Sequence, residues 1–99
     1  MKDYADYDAS GLAELVANKE VSPKELLDAA VTRAKAAQKE LNCFSAMFDD
    51  AAQTQIDDGL SDGPFKGVPY PIKDLGISIA GKPVTNGSVA FKDNVADSD

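Results

Sequence analysis

The chain has 99 residues, 43% apolar and 27% charged, which is ordinary for a soluble globular protein and fits one small domain or a piece of a larger one. Its 10 basic and 17 acidic residues leave a formal charge of −7 and a pI near 4.4, which argues against nucleic acid and against an anionic membrane surface as partners. One cysteine, Cys43, and no histidine exclude an internal disulfide, a histidine-based zinc site and any Ser-His-Asp or Cys-His pair within these residues.

The N-terminus carries Asp3 and Asp6 where a signal peptide needs an apolar core. No run approaches the roughly 18 apolar residues of a membrane span, so the expectation is a soluble, cytoplasmic protein. Leu12, Leu15 and Val16 fall on one face of a helix over about 9–18, with Asp8 or Ser10 as its N-cap. Ser22-Pro23-Lys24-Glu25 is a capping box with proline at the first helical position. It opens a second helix, over about 23–40, whose Leu27, Ala30, Val31, Ala34, Gln38 and Leu41 share one face.

Cys43 to Phe48 is a short apolar run that reads as a buried strand over about 43–48, with Cys43 as a small core residue. A helix over about 50–59 comes next, capped by Asp49 or Asp50 and closed by Gly59. Pro64 and Pro69 bracket a turn at Gly67, and 70–75 is a second strand candidate. Strand, helix, strand in that order is a βαβ unit. The fold class expected is therefore α/β: N-terminal helices, then a βαβ unit opening a larger, mostly parallel sheet covered by helices on both faces. A single βαβ unit cannot cover both faces of its sheet, so the chain reads as the start of a longer protein. A complete small α+β domain is the alternative. Further on, Val84 to Val89 reads by local rules as a type I′ hairpin, against a loop leading into a short helix over about 88–92. The last eight residues, with three acids, are expected to be loose.

Lys73 lies in the middle of the apolar run of the second strand candidate. Burying an ammonium is costly, so either the amine reaches solvent along its stem or it is held inside for a reason. Strand alternation would turn Lys73 away from Asp74. A lysine in apolar surroundings without a close anion loses its proton more readily, and a neutral amine can serve as general base for a hydroxyl nucleophile.

Several segments, in order, resemble the start of the amidase signature family: Ser10 to Val16, Val21 to Leu26, Leu41-Asn42, Gly63 to Pro69, and Ile72-Lys73-Asp74-Leu75. Gly81-Lys82-Pro83-Val84-Thr85-Asn86-Gly87-Ser88 is similar to that family's Gly-x-Pro-Thr-x-x-Gly-Ser segment, with Val84 in place of the usual threonine. The resemblance implies hydrolysis of carbon–nitrogen amide bonds by a Ser–cis-Ser–Lys triad, with Lys73 as the catalytic base and no cofactor or metal. It implies that the chain is the N-terminal part of one amidase domain. The two serines belong to a Gly/Ser-rich segment that this sequence does not contain, so the 99 residues alone are expected to hydrolyse nothing. Ser78 and Ser88 lack the motif. The resemblance also favours the loop and short helix over the hairpin.

The implied partners are a small-molecule amide substrate and the remainder of the same polypeptide, with neither nucleic acid nor membrane. Family members often dimerise, and N-terminal helices can contribute, so a homodimer through those helices belongs to the same expectation. Two other readings stay open: the amide-transferring subunit that works on misacylated tRNA, and a non-catalytic interaction module using the narrow face at Ala30, Ala34 and Ala37.

Overall fold

In the computed structural model, which describes all residues from Met1 to Asp99, the chain forms two compact units, Met1–Pro69 and Tyr70–Asp99. The first is helical. After a 3-10 turn at Tyr4–Asp6 come α1 (Ala9–Ala17), α2 (Pro23–Leu41) and α3 (Asp49–Asp58).

Local chemistry sets the helix ends. Asp8 caps α1, its Oδ1 accepting from the Gly11 amide at 2.7 Å. At the other end Lys19 turns left-handed, with φ 60°. The Glu20 amide then reaches the Leu15 carbonyl at 2.9 Å and the Lys19 amide that of Val16 at 3.0 Å, the pair of bonds that closes a Schellman motif. At the start of α2 the Glu25 amide donates to Ser22 Oγ at 3.1 Å. The Ser22 amide donates back to Glu25 Oε1 at 3.3 Å, so the capping box is closed with Pro23 in the first turn. α3 begins without a side-chain cap. Phe48 holds the cap position, and Asp49 and Asp50 lie in the first turn, where their charge suits the positive end of the helix dipole.

The core of this unit is small. Leu12, Leu26 and Leu27 are the buried apolar residues, and Leu26 is fully enclosed. α3 packs on α2. The half-buried Ala30, Val31 and Ala34 continue the apolar side of α2, but Leu41, expected on the same face, is 72% exposed. Before the unit ends, the chain turns at Gly67 with φ 87°. A Cβ there would lie 3.0 Å from Val16 Cγ1 and 3.1 Å from Pro23 Cγ, so the residue before the Val68-Pro69 step sits against α1 and the start of α2.

The expected α/β fold is not formed. The chain has three α-helices and no strand, and its one β-bridge, between Pro83 and Val95, is isolated and antiparallel. The run 43–48 does not pair as a strand. Asn42 ends α2 in the left-handed region with φ 50°, and the Gln38 side chain bonds to the chain beyond the helix end. Gln38 Oε1 accepts from the Phe44 amide at 2.7 Å and its Nε2 donates to Asn42 Oδ1 at 2.9 Å. Cys43 is exposed and is not a core residue. The run 70–75 likewise has no ladder. A strand exists only as a partner to another strand, no segment of the chain offers one, and Pro69 and Pro71 each lack an amide donor.

The second unit is held by its own loops. The Gly81 amide donates to Ala96 O at 2.9 Å, Ala96 N to Lys82 O at 3.0 Å, and Val84 N to Asn94 O at 2.9 Å. Ser78 Oγ donates to Ser98 O at 2.9 Å, and Ala80 N to the Asp99 carboxylate at 2.8 Å. The acidic tail, expected to be loose, is thus bonded back onto residues 78–84. Those bonds satisfy backbone groups that no helix or strand pairs.

Candidate active site

Lys73 lies in the second unit, in a stretch without regular structure. It is exposed and forms no salt bridge. Ile72 and Leu75 beside it are also open to solvent, and Tyr70 is 81% exposed. The apolar enclosure expected around its amine is therefore not built by these residues. The strand alternation expected to separate Lys73 from Asp74 is absent as well, because there is no strand.

What the structure does build is a clamp on the next residue. Asp74 is half-buried. Its Oδ1 accepts from the Thr85 amide at 2.8 Å, and its Oδ2 accepts from the Thr85 hydroxyl. Hydrogen bonds to a carboxylate are the strong class, and two from one residue fix orientation as well as distance. Thr85 is itself held. Its carbonyl accepts from the Ser88 amide at 2.9 Å, closing a turn in which Asn86 and Gly87 both have positive φ, 51° and 71°. Thr85 Oγ1 also accepts from the Gly87 amide at 3.3 Å.

The Asn-Gly pair therefore makes the turn that its residues favour, but no hairpin ladder extends from it. Instead Ser88 caps a 3-10 helix at Val89–Phe91, its Oγ accepting from the Ala90 amide at 3.2 Å. Ser78 and Ser88, which lack the family motif, both have hydrogen-bond partners: Ser88 in that cap, and Ser78 on the Ser98 carbonyl. Sequence reasoning missed Thr85. No helix or strand spans the eleven residues from Asp74 to Thr85, so no periodic pattern joins them.

No group of three or more acidic or cysteine side chains is placed to hold a metal ion. No helix is long and apolar enough to cross a membrane. Two open surface clefts, one bordered by Met1, Tyr4 and Arg33 and one by Leu27, Val31 and Gln53, are lined by residues of the first unit only.

A family model described as Amidase matches residues 25–99, a span that includes Lys73 and the Asp74–Thr85 clamp. The chain is 34% identical over 87 residues to a 6-aminohexanoate-cyclic-dimer hydrolase of Pseudomonas sp. (strain NK87), covering 88% of this chain and 17% of that protein. It is 37% identical over 95 residues to a lipoamidase of Enterococcus faecalis, covering 95% of this chain and 13% of the other. It is 35% identical over 96 residues to an acylamidase of Rhodococcus erythropolis, covering 89% and 20%. No solved structure matches. The chain thus spans 13–20% of the length of these curated relatives. The family match runs from the first turn of α2 to the last residue, and on it this chain belongs to the amidase family.

Proposed function

We propose that this chain is the N-terminal part of an amidase that hydrolyses carbon–nitrogen bonds of small-molecule amides, with Lys73 as the base of a Ser–cis-Ser–Lys triad. The observation that carries the reading is the amidase family match over residues 25–99, which takes in Ile72-Lys73-Asp74-Leu75 and the Gly81 to Ser88 segment in one span. The exposure of Lys73 supports it too, since a base that serves groups outside these residues must have its amine accessible.

In this mechanism the Lys73 amine takes a proton from the bridging serine as that serine takes one from the nucleophilic serine. The nucleophile's oxygen bonds to the amide carbon, and the carbon–nitrogen bond breaks as the proton returns to the leaving amine. Water then cleaves the acyl ester, and the same relay accepts and returns its proton. Neither serine lies among these residues, so the 99-residue chain alone is inactive. Its partners are the amide substrate and the remainder of the polypeptide, and α1 and α2 form the surface through which two copies would meet.

The test is to extend the reading frame past Asp99 and assay amide hydrolysis. A continuation into a Gly/Ser-rich segment, with activity that Lys73→Ala abolishes, is the expected result. Amide hydrolysis by the 99 residues alone, lost on Lys73→Ala, would overturn the claim that the serines lie elsewhere.

A further inference from the structure

We infer that Asp74 and Thr85 form a positioning pair that fixes the main chain at Lys73, an inference that rests on the reading of Lys73 as the amidase base. A flexible lysine in an irregular stretch is a poor base, because its amine must be delivered within hydrogen-bond distance of the proton it takes. Lys73 has no helix or strand to hold it. Its main chain is instead held through the neighbouring Asp74, whose Cα lies about 3.8 Å from that of Lys73 across one peptide bond. The Asp74 carboxylate is bonded at both oxygens to Thr85, through the amide at 2.8 Å and the hydroxyl.

Thr85 is a suitable anchor because it is fixed from two sides. The turn through Asn86 and Gly87 closes on its carbonyl. On its other side, Val84 is bonded in both directions to Asn94: Val84 N donates to Asn94 O at 2.9 Å, and Asn94 Nδ2 donates to Val84 O at 3.0 Å. Position therefore passes from the 94–96 segment to Val84 and Thr85, then to Asp74, and so to the main chain of Lys73. Both members of the pair are half-buried, which shields their bonds from competition by water. Asp74 acts through Lys73 and not on the substrate.

The test uses the full-length enzyme carrying Lys73→Ala, Asp74→Ala, Thr85→Val, Thr85→Ser and the Asp74→Ala/Thr85→Val double substitution. Lys73→Ala abolishes turnover. Asp74→Ala lowers kcat by about 100-fold while KM stays within about twofold, the signature of a misplaced group rather than a damaged binding site. Thr85→Val lowers kcat by about tenfold or more, and Thr85→Ser, which keeps the hydroxyl, restores it. The double substitution is no worse than Asp74→Ala alone, since the two side chains act as one unit. Losses that multiply independently, a loss confined to KM, or Thr85→Ser as damaging as Thr85→Val would each overturn the positioning pair while leaving Lys73 as the base. Unchanged turnover in Lys73→Ala would overturn both.

Discussion

Asp74 receives two hydrogen bonds from Thr85, eleven residues ahead in the chain, one from its amide and one from its hydroxyl. The bonds join the only sequence-predicted catalytic residue, through its neighbour, to the one turn of the second unit whose chemistry is plain in the sequence, Asn86-Gly87. Residues 71–76 have no helix or strand to order them, and this contact ties them to the 85–88 turn.

Removing it should be visible without any assay of function. Asp74→Ala should speed hydrogen exchange at the Thr85 amide and destabilise the second unit by about 2 kcal/mol, the usual range for bonds to a charged acceptor. Exchange at Thr85 unchanged from the parent chain would contradict the bond.

Lys19 occupies a left-handed position that glycine adopts without steric cost. Lys19→Gly should raise stability by about 0.5–1 kcal/mol, read as a higher urea midpoint, with α1 still closed by the Glu20 to Leu15 bond. A lower midpoint would show that the Lys19 side chain makes a contribution that outweighs the strain.

Gly67 presents the opposite case. A methyl group there meets Val16 and Pro23 at about the limit of real carbon contacts, and φ is positive as well. Gly67→Ala should cost about 1–3 kcal/mol by overpacking and backbone strain together. A neutral effect in urea unfolding would mean that α1 and the start of α2 separate easily.

Leu26 is the only fully enclosed side chain in a core of three. Leu26→Ala should therefore cost about 2–5 kcal/mol and broaden the unfolding transition, whereas Leu41→Ala, at an exposed position, should change little. Equal effects at the two positions, measured by thermal melts monitored by circular dichroism, would refute this assignment of the core.

Most features governed by neighbours in sequence were legible, although the Asp49 or Asp50 cap expected for α3 is not formed, Phe48 holding that position. The Asp8 cap, the Ser22/Glu25 box and the Asn86-Gly87 turn each depend on residues within about four positions of one another, and each is found where those residues stand. Features governed by distant partners, or by a polar side chain set within an apolar stripe, were not. The runs 43–48 and 70–75 have the composition of strands, but composition does not supply a second strand to pair with. Gln38, which periodicity places on an apolar face, spends its amide on Asn42 and Phe44, and that use is invisible to spacing. A single apolar stripe through Leu27 passes over Leu26, because α2 buries two adjacent positions about 100° apart. At the site, Lys73 stands out by its motif, but no helix or strand links Asp74 to the threonine that holds it, so no period announces that threonine.

Lys73 as the base of an amide hydrolase whose serines lie beyond these residues is tested most directly by steady-state kinetics. The measurement is hydrolysis of an amide by the full-length gene product, with and without Lys73→Ala. Turnover in the parent and its loss, by about 100-fold or more, in the variant is the predicted result. Equal turnover in the two proteins would contradict it.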